Sequence, residues 1–166
     1  MQITTRNDIG KLYQAHKVTG HGAEIGVKEG WNIKQILNHY DGAVHLIDIW
    51  SDPKEIVQTL INTWSDYDVH IYNTTSARAA RMFDDGYLDW VYIDADHTYE
   101  SVSADHATWS PKVRKGGIVS GHDYSPEFPG VVQMVDEIIS SGVEVHFTRD
   151  DVYQGVEYFS WWYVKG

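Results

Sequence analysis

The chain has 166 residues, of which 42% are hydrophobic and 22% charged, a composition that suits one globular domain with a full core. Its formal net charge of -11 excludes the basic surface that nucleic-acid binders present to phosphates, and the absence of cysteine excludes disulfides and thiolate chemistry. No apolar run approaches the roughly 20 residues that cross a bilayer, and no secretory leader pattern opens the sequence, so we expect a cytoplasmic protein without a membrane partner.

Strand and helix patterns alternate along the chain. Residues 23–26 have the pattern of a short strand, and the apolar residues of 33–40 recur at helical spacing. A continuous apolar run at 44–49 is typical of a strand buried on both faces, and a helix with Asp52 as its cap follows, with Trp64 on its apolar face. The remaining elements alternate in the same way: strands at 67–72, 88–93 and 117–121, and helices at 77–83, 99–113 and 131–138.

The tail of the chain has a different pattern. Residues 143–147 and 158–164 both look like strands, and we expect them to form an antiparallel pair that closes the sheet. The predicted fold is therefore α/β: a Rossmann-like, doubly wound sheet that is mostly parallel, in one domain spanning 1–166. Residues 1–21 are predicted to form a helical cover at the amino terminus.

Acids and histidines follow two of the predicted strands. Asp94 and His97 come after the strand at 88–93, and His122 and Asp123 come after the strand at 117–121. Ligands bind at the carboxyl ends of the strands in open parallel sheets, so these side chains are expected to meet at one site.

The first strand-to-helix turn is the predicted cofactor cradle. Gly26 permits a tight turn and Gly30 permits close packing at the helix start, but the spacing is not that of dinucleotide binders. Asp48 ends the next strand, where a carboxylate can accept hydrogen bonds from a ribose diol.

These motifs resemble those of class I S-adenosylmethionine-dependent methyltransferases, and more narrowly a group of small stand-alone members. The resemblance covers roughly residues 20 to 148 and depends mainly on Ile-Asp-x-Asp-His after the fourth strand and Gly-His-Asp-Tyr at the end of the fifth. It implies a seven-stranded sheet whose last strand is antiparallel, and S-adenosylmethionine as the cofactor.

Carried over by position, the resemblance assigns residues to each part of the cofactor. Glu24, Gly26 and Gly30 would line the methionine portion, with Asp94 close by, and Asp48 would hold the ribose hydroxyls. The residues near adenine would be Ile49, Trp50, Thr75 and Ser76. Lys28 departs from the family, which often has a glycine there; its side chain could point outward or reach the methionine carboxylate.

The two acidic strand ends also resemble those of metal-dependent O-methyltransferases that act on sugars or catechols. By that match Asp94, His122 and Asp123 would hold a divalent cation such as Mg or Mn, and His97 would be the general base, acting beside Asp94. With an ordinary pKa of roughly 6.5, a neutral His97 would accept the hydroxyl proton as the acceptor oxygen displaces the methyl group from the sulfonium. His122 departs from the oxygen ligands usual there, and imidazole suits Mn better than Mg.

Plainer interpretations stay open for these residues. Asp94 and Asp96 could cap the following helix, and His97 or His122 could simply hydrogen-bond a neighbouring loop. The predicted function is methylation of a hydroxyl on a small-molecule or saccharide acceptor. The alternatives are a nucleotide-dependent α/β oxidoreductase and a non-catalytic cofactor-binding module of the same fold. Because little sequence remains to build an acceptor pocket, either the acceptor is small or a second subunit of a homo-oligomer completes the site.

Overall fold

The computed structural model describes residues 3–63 and 67–166. Its strands are β1 (His21–Ile25), β2 (Ala43–Asp48), β3 (Val69–Asn73), β4 (Leu88–Ile93), β5 (Val113–Tyr124), β6 (His146–Phe147), β7 (Val152–Tyr153), β8 (Val156–Glu157) and β9 (Phe159–Val164). Seven of them form one sheet in the order β3-β2-β1-β4-β5-β9-β6. The first five strands run parallel, and β9 is antiparallel to both of its neighbours, β5 and β6. The predicted fold class is confirmed.

Helices connect the parallel strands and cover the sheet. They are α1 (Ile9–Ala15), α2 (Trp31–Leu37), α3 (Pro53–Thr63), α4 (Ser76–Ala79), α5 (Tyr99–Trp109) and α6 (Pro129–Ser140). Alternate residues of β4 enter two separate apolar clusters: Trp90 and Tyr92 belong to one, Val91 and Ile93 to the other. Because successive side chains of a strand point to opposite faces, the sheet has a core on each face. In the described parts of the chain, no helix is long and apolar enough to cross a membrane.

The helix that follows β2 begins as its sequence predicts. Oδ1 of Asp52 accepts a hydrogen bond of 2.9 Å from the amide of Lys54, so Asp52 caps the first turn of α3. Trp64, which the sequence pattern assigns to this helix, lies outside the described residues.

The boundary between α5 and β5 differs from the prediction. The helix ends at Trp109, a 3-10 turn spans Ser110–Lys112, and Val113 is already the first residue of the strand. Pro111 explains the early end, because proline has no amide hydrogen to continue an α-helix. Gly116 therefore lies within β5, with a φ of 73°.

The tail contains a hairpin that the sequence pattern did not predict. The antiparallel pair that closes the sheet is present as β6 and β9, but β6 is only two residues long. The connection between them folds into the β7–β8 hairpin, whose turn residues Gln154 and Gly155 both have positive φ. Such a two-residue turn is usual for a short hairpin.

Residues near the amino terminus lie against the connection that follows β6. The carbonyl of Thr4 accepts hydrogen bonds of 2.9 Å from the amides of both Arg149 and Asp150, and the amide of Arg6 donates to Oδ1 of Asp151 at 2.8 Å. We call this arrangement, residues 4–6 with residues 149–151, the terminal clasp. It places the side chain of Arg6 at the carboxyl end of the sheet.

Candidate active site

A cavity of about 1130 Å³ opens at the carboxyl ends of β1, β2 and β4. We call it the larger cavity. Its charged and titratable lining residues are Arg6, Lys28, Glu29, Asp48, Glu55, Asp94, Asp96, His97 and Asp105. Carboxylates therefore outnumber the basic groups in the lining.

Gly26 fixes the close approach of two strand ends at the base of this cavity. Its φ is 84°, and a Cβ built on it would lie 2.2 Å from the carbonyl oxygen of Asp94 and 2.6 Å from Cα of Ala95. Only glycine fits both this dihedral angle and this space. The turn that follows β1 therefore lies directly against the strand end that carries Asp94.

Asp48 holds the same turn from the other side. Its Oδ2 accepts hydrogen bonds from the amides of Val27 at 2.7 Å and Lys28 at 2.8 Å, and its Oδ1 accepts one from the amide of Trp50 at 3.0 Å. Since Asp48 also lines the cavity, its carboxylate shapes the turn and still faces a ligand that would bind there.

The predicted cofactor residues divide into two groups. Those lining the larger cavity are Gly26, Asp48, Ile49, Thr75, Ser76 and Asp94. Glu24, Gly30 and Trp50 lie behind the lining. Glu24 is buried and accepts a hydrogen bond of 2.7 Å from Asn32, while Trp50 donates Nε1–H to the carbonyl of Lys28 at 2.8 Å. Gly30 precedes α2 with a φ of 73°.

The two acidic strand ends meet, as the sequence predicts. Asp94, His97 and Asp123 each offer a ligand atom within 4.8 Å of the others. Nε2 of His97 lies 2.7 Å from Oδ2 of Asp123 and 3.7 Å from Oδ1 of Asp94. Asp123 has a φ of 59°, a left-handed conformation that is uncommon outside glycine. We call these three residues the Asp-His-Asp cluster.

His97 does not have the ordinary pKa expected of it. The nearby carboxylates of Asp123, and then of Asp94, raise its pKa to about 9, against the lowering effect of burial. Without a bound ligand or cation, the imidazole of His97 is therefore positively charged at neutral pH. The expectation of a neutral His97 is wrong for the unliganded site.

His122 is not part of the Asp-His-Asp cluster. Its Nδ1 lies 2.8 Å from Oδ1 of Asp123, and its side chain is only 10% exposed. The imidazole that converges with the two carboxylates is that of His97, three residues after Asp94, and not that of His122.

Two residues at the site, Arg6 and Asn32, were not predicted from the sequence. Arg6 forms an ion pair with Asp94 and donates Nε–H to Oδ1 of Asn32 at 3.0 Å. Asn32 in turn bridges to Glu24. Asn32 follows the glycine turn closely and could have been found from that position, but nothing in a single sequence points to Arg6.

A second cavity of about 610 Å³ adjoins the first, and we call it the smaller cavity. Asp96 and His97 line both cavities, so the two meet at His97. The ring of Phe128 stacks on the imidazole of His97 with centroids 4.3 Å apart and forms part of the wall of the smaller cavity, with Glu127, Pro129 and Gln133.

Some of the plainer interpretations describe the structure well. Oδ1 of Asp96 accepts a hydrogen bond of 2.8 Å from the amide of Thr98, and Thr98 itself caps α5 by accepting one from the amide of Ser101. His106 pairs with the hydroxyl of Tyr163 at 2.8 Å. Asp94 does not cap this helix, because its carboxylate is engaged by Arg6.

Comparison with known proteins identifies the family. A model of the methyltransferase domain matches residues 23–124, more than half of the chain. The chain belongs to this methyltransferase family. The matched segment contains Gly26, Asp48 and the Asp-His-Asp cluster. No curated protein matches this methyltransferase in sequence.

Solved structures share its fold. An O-methyltransferase from Bacillus cereus in complex with SAH is 15% identical, with a TM-score of 0.73 over 96% of this chain and 80% of that chain. The O-methyltransferase TomG from Streptomyces achromogenes, involved in tomaymycin synthesis and in complex with SAM, is 13% identical, with a TM-score of 0.72 over 97% and 79%. A spermidine synthase in complex with the transition-state analogue AdoDATO is 17% identical, with a TM-score of 0.67 over 96% and 58%. At these identities the likeness concerns the fold, which hosts more than one reaction.

Proposed function

We propose that this methyltransferase transfers the methyl group of S-adenosylmethionine to a hydroxyl oxygen of a small acceptor. The observation that carries the proposal is the junction of two cavities at His97. The larger cavity has the glycine turn and the strand-end acid suited to the cofactor, and the smaller cavity has the size and aromatic wall suited to an acceptor. A methyl group passed between them would cross beside the Asp-His-Asp cluster.

The residues of the larger cavity would bind the cofactor by its separate parts. Asp48 would accept hydrogen bonds from the ribose hydroxyls, and the turn at Gly26 would approach the methionine portion. Ile49, Thr75 and Ser76 would lie near adenine. The sulfonium makes the methyl group electrophilic by itself, so the protein chiefly aligns the two reactants and removes a proton.

His97 is the candidate general base. During the displacement the sulfur–carbon bond breaks, the oxygen–carbon bond forms, and the hydroxyl proton must leave the acceptor oxygen. His97, once neutral, would take that proton on Nε2, and Oδ2 of Asp123, 2.7 Å away, would stabilise the resulting positive charge.

The Asp-His-Asp cluster fits a divalent cation. Two carboxylates and an imidazole converge, and the buried Nε2 of His97 has no hydrogen bond of acceptable geometry within the described residues. Asp94, Asp123 and His97 would hold the cation, and this donor set suits Mn, Fe or Zn better than Mg. When bound, the cation would supply positive charge that acidifies a hydroxyl. Nε2 of His97 cannot bind a cation and accept a proton at once, so these two roles exclude each other.

The acceptor class follows from the smaller cavity. Its walls combine the ring of Phe128 with carboxylates at Asp96 and Glu127 and an amide at Gln133. Such walls favour a neutral or cationic hydroxyl compound with a flat face, such as a saccharide or a catechol, and disfavour polyanions.

Binding of the cofactor tests the proposal first. Calorimetric titration of the full chain with S-adenosylmethionine and with its demethylated product should show saturable binding of both. The oxidoreductase alternative predicts instead binding of a nicotinamide dinucleotide. A non-catalytic module would bind the sulfonium yet transfer no methyl group to any catechol or saccharide in an acceptor panel.

His97→Gln tests the base, with the exposed His146→Gln as its matched control. If His97 is the base, His97→Gln lowers turnover by about 100-fold or more while affinities for S-adenosylmethionine and Mn stay unchanged. If His97 is a cation ligand, the affinity for Mn falls as well. Unchanged turnover would remove His97 from the mechanism.

A further inference from the structure

Arg6 is the one arginine among the described residues that line the larger cavity, and the other basic groups there are Lys28 and His97. The other charged groups of the lining are carboxylates: Glu29, Asp48, Glu55, Asp94, Asp96 and Asp105. A ligand that carries a carboxylate would meet repulsion on most sides of this cavity. The exceptions are Arg6, Lys28 and His97, of which His97 already lies between the carboxylates of Asp94 and Asp123.

The contacts of Arg6 leave part of its guanidinium unused. Nε donates to Asn32 at 3.0 Å and Nη2 pairs with Asp94, while no hydrogen bond of Nη1 is seen among the described residues. The side chain is 30% exposed, and it lines the larger cavity. A guanidinium has five N–H donors in one plane, so Arg6 can keep both present contacts and still donate to a carboxylate.

The terminal clasp positions the backbone of Arg6, whose guanidinium lines the cavity. Oδ1 of Asp151 accepts the amide of Arg6, and Oδ2 of Asp151 accepts the hydroxyl of Thr148 at 2.6 Å. Asp151 therefore fixes the backbone of Arg6 from the far end of the sequence, although it does not line the cavity itself.

We propose that Arg6 is the carboxylate anchor of the sulfonium site, selecting the amino-acid form of the donor over a decarboxylated one, and that Asp151 is its positioning residue. This inference rests on the proposed function, because it needs a sulfonium donor in the larger cavity. It goes beyond that function by assigning the carboxylate of the donor to one residue, Arg6, and the placement of that residue to Asp151. The family model begins at residue 23 and so leaves Arg6 outside the matched segment.

The test compares two ligands on matched variants of the full chain. Calorimetry gives the affinities of S-adenosylmethionine and decarboxylated S-adenosylmethionine for the wild type, Arg6→Gln, Arg6→Lys, Lys28→Gln, Asp151→Ala and the exposed control Arg81→Gln. Arg6→Gln should lower the affinity for S-adenosylmethionine by about 10- to 100-fold, the loss typical of one hydrogen bond to a charged group. It should leave the decarboxylated ligand bound as tightly or more tightly, because removing a positive charge favours the more cationic ligand. Arg6→Lys should recover part of the loss, Asp151→Ala should give a smaller loss of the same kind, and Arg81→Gln should change neither affinity.

The remaining outcomes overturn the inference. If Arg6→Gln weakens the binding of both ligands equally, Arg6 is only a structural partner of Asp94. Retained binding of the decarboxylated ligand would show that the variant is folded. No weakening of either ligand would remove Arg6 from the site. A selective loss in Lys28→Gln instead would assign the carboxylate to Lys28. A wild-type protein that binds neither sulfonium would reject the proposed function and this inference together, whereas the other outcomes reject only the role of Arg6.

Discussion

Gly26 shows how one residue sets the distance between two strand ends. The Cβ of an alanine would lie 2.2 Å from the carbonyl oxygen of Asp94, which is backbone and cannot move aside cheaply. Gly26→Ala should therefore cost about 2–4 kcal/mol of unfolding free energy, from overpacking and from the positive φ together. Gly26→Ala should also lower the affinity for S-adenosylmethionine, because the turn and Asp94 would move apart.

Gly86→Ala is the matched control for this prediction. Gly86 also has a positive φ, 73°, but its nearest heavy atom is 3.9 Å from a built Cβ. Gly86→Ala should lower the free energy of unfolding by about 1 kcal/mol, which is the cost of the positive φ alone. Urea unfolding followed by tryptophan fluorescence measures both variants. Equal losses would show that the contact with Asp94 is not what requires glycine at position 26.

At the scale of elements, three neighbouring strands carry a row of stacked histidines away from the cavity. His21 of β1, His45 of β2 and His70 of β3 lie side by side, with ring centroids of 5.4 Å between the first two and 4.9 Å between the last two. His45 is buried, with 5% of its surface exposed. Its Nε2 lies 3.2 Å from Nδ1 of His21, and its Nδ1 lies 3.1 Å from the hydroxyl of Tyr72.

This row predicts an acid-sensitive stability. Burial, and then the charges of His70 and His21, lower the pKa of His45 from 6.5 to about 4, and Asp68 offsets this only in part. Between those two pH values the unfolded chain binds a proton that the folded chain does not, so stability falls as the pH drops from about 6.5 toward 4, by up to about 3 kcal/mol. Urea unfolding at several pH values should show a shallower loss in His45→Gln. The exposed His16→Gln should retain the wild-type slope, and parallel slopes for wild type and His45→Gln would contradict the assignment.

Elements were predictable where local chemistry and the periodic pattern agree. The parallel strands are short, mostly apolar runs, and the seven-stranded sheet with its antiparallel strand is as predicted. Boundaries failed where one residue overrode the pattern: apolar spacing continues through Val113, but Pro111 ends the helix before it. The β7–β8 hairpin was missed because its strands are two residues each, too short to show alternation.

The candidate site was predictable only in its strand-end residues. Strands ending at Asp94 and Asp123 in one parallel sheet must bring those residues to one edge, and the structure places His97 with them. The choice between His97 and His122 depends on side-chain direction, which a strand end does not reveal. The position of Arg6 at the site depends on its contact with Asp151, and no local sequence pattern predicts a contact between residues so far apart in the chain.

At the scale of the whole molecule, the segment matched by the family model and the two ends contribute different parts of the site. Residues 23–124 supply the glycine turn, Asp48 and the Asp-His-Asp cluster. Residues outside that segment supply Arg6 through the terminal clasp and Phe128 through the loop before α6. On the proposals made above, the matched segment would bind the donor, and the residues outside it would set which donor and which acceptor fit.

The net charge of the chain gives a last prediction about the donor and its product. S-adenosylmethionine carries a net positive charge, whereas the demethylated product is neutral overall, and the chain carries -11 at neutral pH with mostly acidic groups around the larger cavity. The field should therefore attract the donor more than the product, and salt should screen that difference. Between about 0.05 M and about 0.5 M NaCl, we expect the dissociation constant of S-adenosylmethionine to rise by roughly two- to five-fold, and that of the product to change less. Calorimetry at each salt concentration measures both constants. A parallel rise for the two ligands would mean that the acidic charge of the molecule does not distinguish donor from product, and that release of product depends on local contacts alone.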